Sequence, residues 1–156
     1  SDGVPEKQGP WCTPRSLVMA GRVLNQFRDN EGRLPVDPGA TEMVSGMIGE
    51  AAAAQLFATI RLGHEMPSME EITKNPSKAK VPGKPDAQML VTYRLAALVE
   101  VENASPVIDY MQRMPKEFGV TFAKVACGRL PRLIYTPAFE DWAESNANLM
   151  TAIIKV

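Results

Sequence analysis

The stretch TPRSLVMAGRVLNQF, residues 13–27, decides what kind of fold this chain adopts. Thr13 can accept a hydrogen bond from an otherwise unpaired amide, and Pro14 suits a first helical turn because its missing N–H costs nothing there. Apolar residues then recur at spacings of three and four, which predicts an amphipathic helix running to about Asp29. The predicted buried stripe consists of Leu17, Ala20, Gly21, Leu24 and Phe27.

The same start signal, a short polar residue followed by proline, recurs three more times. Each pair predicts a helix beginning, because the polar side chain caps the helix and proline tolerates the first turn. A capping-box pattern, Ser68 with Glu71, predicts one further short helix. The three pairs are Asp37-Pro38, Ser105-Pro106 and Thr136-Pro137.

Apolar spacing predicts where the other helices run. In the segment 38–62 apolar residues repeat every fourth position, and Gly46 and Gly49 leave open whether this is one helix or two. The segment 86–101 is apolar nearly all round, so we expect it to be the central and most buried helix.

Further helices are expected over 105–114 and 115–129, followed by two apolar faces near the end of the chain. No segment alternates between apolar and polar residues as a half-buried strand would. The predicted fold class is therefore all-α, an irregular multi-helix bundle of about eight helices. The two late faces are Phe139, Trp142 and Ala143, then Leu149, Met150, Ile153 and Ile154.

Length and composition limit the class of protein. The 156 residues are 45% hydrophobic and 22% charged with a net charge of -1, which is typical of a globular domain and favours neither a nucleic-acid nor a membrane partner. Cys12 and Cys127 are too few for a disulfide framework, so we expect a cytoplasmic protein. The polar segment 1–12 is expected to be a linker from a missing upstream domain, the segment 13–156 to be helical, and the proline-rich segment 73–86 to be a possible internal break.

The motifs of self-contained enzymes are missing. Gly83-Lys84 is followed by Pro85 instead of the hydroxyl residue that a phosphate-binding loop requires, so no catalytic residue is predicted. His64 and two separated cysteines do not form a zinc site, and a lone histidine at a helix end is typically a cap. We expect a solvated lysine loop, formed by Lys74, Lys78, Lys80 and Lys84, and core positions for Trp11, Trp142 and the methionines.

Arg15 is the one position that invites a functional interpretation. It falls in the first turn of the helix that begins after Thr13, where helix amides already present positive charge. A cation there costs about 0.3–1 kcal/mol unless an anion lies near it. Amides and a guanidinium fork together would bind a phosphate, while pairing with a carboxylate or with solvent remains the alternative from the residues alone.

The segment around Arg15 resembles the sensor 2 region of MoxR-like AAA+ ATPases of a bacterial and phage branch. The resemblance covers nearly the whole chain, because four later segments match in the same order. The matching segments are PWCTPRSL at 10–17, IGEAAAA at 48–54, PSMEEI at 67–72, YMQRMP at 110–115 and PAFEDWA at 137–143.

This resemblance implies a helical lid with a C-terminal extension, in which Arg15 senses the terminal phosphate of ATP in its own subunit or across a subunit interface. It further implies that an upstream AAA+ core holds Mg²⁺ and performs hydrolysis, so that this chain alone is not catalytic. The implied partners are that core, neighbouring subunits of a homo-oligomeric ring and a protein client. The alternatives are a stand-alone helical interaction or adaptor domain and, less favoured, a nucleic-acid-binding domain that uses the lysine loop.

Overall fold

The structure is a computed structural model that describes residues 11–148 and residue 151. The described residues contain eight α-helices, two short 3-10 helices and no strand, so the prediction of an all-α bundle of about eight helices is confirmed. The first ten residues of the predicted linker and the apolar face from Leu149 to Ile154 lie outside the description, except for Thr151. The α-helices are α1 (Pro14–Gln26), α2 (Pro38–Ile48), α3 (Glu50–Glu65), α4 (Met69–Lys74), α5 (Pro85–Leu98), α6 (Ala104–Met111), α7 (Lys116–Arg129) and α8 (Pro137–Ser145), and the 3-10 helices are Val101–Asn103 and Pro131–Tyr135.

The chain divides into two compact units, Ser1–His64 and Glu65–Val156. In the first unit α1 packs against α2 around a small core. Half-buried Leu34, Val36 and Met47 pack against that core, which is therefore sealed by the loop before α2 as well as by helices. The buried residues are Ala20, Leu24, Ala40, Val44, Ile48, Ala53, Phe57 and Ile60.

Helix α1 buries a narrower stripe than its sequence predicts. Ala20 and Leu24 are buried, but Leu17 is 44% exposed and Phe27, just after the helix, is 59% exposed. The prediction that all five apolar positions form one buried face is therefore wrong at both ends of the helix. Two further apolar residues of α1, Val18 and Met19, are 55% and 49% exposed.

A glycine separates α2 from α3. Gly49 has φ 86°, a backbone conformation that L-residues with a side chain rarely adopt, and its amide closes α2 by donating to the Ser45 carbonyl. The segment 38–62 is thus two helices, which settles the alternative that the sequence left open. At the other end of α2, the Asp37 carboxylate accepts from the Ala40 amide at 3.1 Å, as the Asp-Pro pair predicts.

The second unit is built on the pairing of α5 with α7, and α6 packs against α4 and α8. Helix α5 is buried on one side only. Its apolar residues Tyr93 and Leu98 are 49% and 47% exposed. Its buried residues are small as well as large: Ala87, Val91, Thr92, Leu95 and Ala96. The expectation that it is the most buried helix is therefore wrong, because α6 buries five of its eight residues and α5 five of its 14.

The predicted capping residues behave differently in the second unit. Ser68 and Glu71 form the predicted capping box, with bonds of 3.1 Å and 2.9 Å. Ser105 is not a cap, because α6 already begins at Ala104 as a continuation of the preceding 3-10 helix. Thr136 occupies the cap position of α8, but its hydroxyl donates to the Leu133 carbonyl at 2.7 Å instead of capping the helix.

Two residues of the second unit hold the proline-rich loop 75–84 by its backbone. The buried Tyr110 hydroxyl donates to the Lys80 carbonyl at 2.7 Å, and Arg113 donates to the carbonyls of Pro76 and Ala79 at 2.5 Å and 2.7 Å. Ala79 itself is buried in the core of the unit. The loop is therefore an integral part of this unit.

Candidate functional site

Arg15 lies in the first turn of α1, where a capping box fixes the helix terminus. The Thr13 hydroxyl accepts from the Ser16 amide at 3.1 Å, and the Ser16 hydroxyl accepts from the Thr13 amide at 2.8 Å. Leu17 donates its amide to the Thr13 carbonyl at 2.9 Å. Helix start and cap are thus placed as the sequence predicts.

The same capping box limits how many amides are open to a ligand. Pro14 has no N–H, and the amides of Thr13 and Ser16 are occupied by each other's hydroxyls. The amide of Arg15 donates to no other described residue. The guanidinium, and not a set of helix amides, must therefore supply most of the hydrogen bonds to any anion bound here.

The charge around Arg15 favours an anion. Its side chain is exposed, the first turn of α1 contains no acidic residue, and no described residue forms an ion pair with it. The partial positive charge of a helix N-terminus adds to that of the guanidinium. A phosphate or carboxylate would relieve this repulsion, whereas solvent only screens it.

Arg15 also begins a stripe along the exposed side of α1. Residues three, four and seven positions further on, Val18, Met19 and Arg22, share one side of a helix with it, and all are exposed. The sequence reasoning missed this stripe because it followed only the apolar positions of the buried side. Two features of the α1 sequence could have indicated this stripe. The helix contains no acidic residue, and its apolar residues occur on both of its sides.

The sequence also singles out His64, the lysine loop and the two tryptophans. His64 lies in the last turn of α3, as predicted, and is half-buried, with no hydrogen-bond partner for its Nε2. The four lysines of the lysine loop are exposed, and Lys74 is paired with Glu70 at 2.5 Å. Trp11 is 72% exposed, so its predicted core position is wrong, whereas Trp142 is buried as expected.

Two shallow cavities occur in the second unit, and charged or polar side chains contribute to the lining of both. A cavity of about 430 Å³ is lined by Glu100, Glu102, Arg132 and the exposed Tyr135. The Glu100 carboxylate is already paired with Arg129 at 3.1 Å, which leaves the Glu102 carboxylate and the Arg132 guanidinium as the other charged groups of the lining. The other cavity, of about 250 Å³, lies beside Trp142 and has no acidic or histidine side chain in its lining.

The two cysteines differ in exposure, and burial changes the chemistry of one of them. Burial raises the pKa of the Cys127 thiol to about 11, so it stays protonated and weakly nucleophilic at neutral pH. Both cysteines are unpaired, and Cys12 is exposed. Within residues 11–148, no group of three or more His, Cys, Asp or Glu side chains is placed to hold a metal ion. No described helix is both long enough and apolar enough to cross a membrane.

Comparison of the chain with models of protein families, with curated proteins and with solved structures finds no match. The class that the described residues define is therefore that of an all-α protein.

Proposed function

We propose that this chain is the C-terminal helical lid region of a MoxR-like AAA+ ATPase, and that Arg15 contacts the terminal phosphate of ATP. The observation that carries the proposal is the exposed guanidinium in the first turn of α1, next to a helix terminus that lacks any acidic residue. This is the position at which the resemblance of residues 10–17 to a sensor 2 segment implies a nucleotide contact.

The donors at this terminus fit a phosphate oxygen. The Arg15 guanidinium can give two parallel hydrogen bonds to one phosphate group, and its own amide can give a third. The capping box of Thr13 and Ser16 holds the start of the helix and therefore the Cα of Arg15. The remaining nucleotide contacts, Mg²⁺ and the hydrolytic machinery belong to an upstream core domain.

In this proposal the role of Arg15 is electrostatic. Phosphoryl transfer is accelerated mainly by positioning and by charges aimed at the oxygens where negative charge develops. An arginine delivered by a mobile lid supplies such a charge only when the lid closes on the nucleotide. The lid thereby couples the nucleotide state to movement of neighbouring subunits and of a protein client.

The test is ATP turnover by the full-length protein that contains the core. Arg15→Ala should lower turnover by roughly 100-fold, the loss seen when one preorganised donor is removed from a transition state. Arg15→Lys should recover little, because an ammonium lacks the guanidinium fork. The matched control is Arg61→Ala, which removes an exposed arginine of α3 and should leave turnover unchanged. Unchanged turnover in Arg15→Ala, with the helical content intact, would refute the proposal.

The second candidate is a helical interaction or adaptor domain without a nucleotide role. It is favoured by the exposed apolar side chains on and around α1, which include Trp11, Val18 and Met19. The coding sequence upstream of Ser1 separates the two candidates. A strand followed by G-x-x-x-x-G-K-[ST] there supports the ATPase lid, and a start codon directly before Ser1 supports the adaptor domain.

A further inference from the structure

The exposed stripe of α1, called here the α1 outer face, consists of Arg15, Val18, Met19 and Arg22. Val18 is 55% exposed and Met19 is 49% exposed, although both lie in the middle of a helix whose other side is buried. Exposed apolar side chains that adjoin one another usually mark a contact surface. Leu17, Phe27 and Trp11 are exposed as well, but Leu17 and Phe27 do not share this side of α1.

The charge of α1 restricts what can cover this face. The helix carries two arginines and no acidic residue, so its partner should be acidic. The partner should also be a protein, because Val18 and Met19 gain free energy only when an apolar surface excludes water from them. A phosphate backbone would satisfy the arginines but leave these two side chains in water.

A complementary surface exists on the same chain. Helix α8 exposes three carboxylates, Glu140, Asp141 and Glu144, which share one side of the helix. The opposite side of α8 is buried through Phe139 and Trp142, and the helix contains no basic residue. We call the three carboxylates the α8 outer face. No described cation pairs with any of them.

Two exposed apolar residues precede α8 in the chain. Tyr135 precedes the helix by two residues and is 78% exposed, and Ile134 beside it is 46% exposed. The α1 outer face therefore offers cations beside aliphatic side chains, and the α8 outer face offers carboxylates on a helix that an exposed aromatic residue precedes. Helix α1 has no acidic residue and α8 has no basic residue, so the two faces are complementary in charge.

We propose that the α1 outer face of one copy of this chain docks on the α8 outer face of a second copy, with Arg22 paired to the carboxylates of Glu140 and Glu144. The residues of each face are exposed, so each face can contact a second copy. The two faces differ, so the contact is head-to-tail and extends into a ring or an open chain of copies. The proposal does not depend on whether Arg15 binds a nucleotide.

The size of the contact predicts a weak association. One short helix pair buries less than the roughly 1,200 Å² that stable protein contacts need. We therefore expect reversible association with a dissociation constant of roughly 100 µM, in the range of weak contacts. The association should weaken as the salt concentration rises from 50 to 500 mM, by about tenfold, because exposed ion pairs are screened.

Sedimentation equilibrium of the whole 156-residue chain tests the proposal. Arg22→Glu and Glu144→Arg should each weaken association by about threefold to tenfold, the effect of one interface charge pair. The variant that combines both reversals should associate nearly as well as the original chain. An equimolar mixture of the two single variants should do so too, because each then offers a face that complements the other.

A charge reversal outside both faces serves as the control. Arg61→Glu reverses an exposed charge on α3 and should leave association unchanged. Far-ultraviolet circular dichroism of every variant excludes a folding defect as the cause of a loss. A chain that stays monomeric at about 1 mM in low salt, or reversals that neither the double variant nor the mixture restores, would overturn the proposal. ATP turnover is not measured in this experiment, so its failure is distinct from failure of the nucleotide proposal.

Discussion

Helix α7 offers a test of the packing through Gly119, which faces the indole of Trp142. A Cβ built at Gly119 would lie 3.0 Å from Cζ2 of that indole, closer than nearly all real Cβ contacts. The ring is 6% exposed and packs edge-on against Phe139, with 5.5 Å between the ring centroids, so a shift of the indole would disturb that packing. Gly119→Ala therefore changes the free energy of unfolding in two ways, through the helix propensity of alanine and through steric overlap with the indole.

The two effects have opposite signs and comparable size. Replacing glycine by alanine inside a helix stabilises it by about 1 kcal/mol. Forcing an extra methyl group into a packed core costs about 1–3 kcal/mol. Because the neighbouring atom belongs to a buried rigid ring, the overlap should prevail, and the free energy of unfolding should fall by about 1 kcal/mol.

The matched control lies on the same helix. A Cβ at Gly128 meets nothing within 4 Å, so Gly128→Ala should stabilise the protein by about 0.5 kcal/mol, a reduced propensity effect near a helix end. Urea unfolding followed by circular dichroism measures both changes as shifts of the midpoint at constant slope. If Gly119→Ala proves as stabilising as Gly128→Ala, the close packing of α7 against Trp142 is refuted.

Three other perturbations have defined outcomes. Tyr110→Phe removes the buried hydroxyl that donates to the Lys80 carbonyl at 2.7 Å, and urea titration should show a loss of about 1 kcal/mol. Burial raises the pKa of Tyr110 to about 12, above its ordinary value of 10, so the unfolded chain loses this proton first. The free energy of unfolding should therefore fall as pH rises from about 10 to about 12, and Tyr110→Phe, whose ring cannot ionise, should lose this component of the fall. Gly49→Ala, at a φ of 86°, should lower the free energy of unfolding by about 1 kcal/mol. Gly46→Ala, whose Cβ would meet nothing within 4 Å, should raise it. Equal effects of the two substitutions would show that the positive φ of Gly49 does not require glycine. Arg129→Met should destabilise by about 2 kcal/mol in thermal unfolding, because its guanidinium donates to the carbonyls of Ala96 and Val99; an unchanged transition would contradict this.

Local chemistry explains why many helix boundaries could be predicted. The capping pairs at Thr13, Asp37 and Ser68 depend only on a side chain and amides three residues away, and all three caps form as expected. Ser105 looks the same in sequence, but the preceding 3-10 helix leads directly into α6 and removes the need for a cap. That 3-10 helix is closed by the Asn103 side chain, which accepts from the Glu100 amide. A 3-10 turn of this kind has no apolar periodicity, so it could not be predicted from the sequence pattern.

Burial was harder to predict than secondary structure. Leu17 and Phe27 have the spacing of a buried stripe, yet the first unit is too small to cover them. Trp11 and Tyr93 are large and apolar, and both remain exposed because burial depends on which neighbour a helix has. Arg15 could be placed at a helix start from sequence alone, whereas the occupation of nearby amides by the Thr13 and Ser16 hydroxyls required the three-dimensional positions.

The loop 75–84 has a further consequence for proteolysis. Its lysines are exposed and its sequence is typical of a segment that trypsin cleaves readily. A protease must draw several residues of extended chain into its cleft, and here the carbonyls of Pro76, Ala79 and Lys80 are held by the side chains of Tyr110 and Arg113. Cleavage after Lys78 or Lys80 therefore requires these bonds to break first. The rate of cutting reports how often this part of the second unit opens.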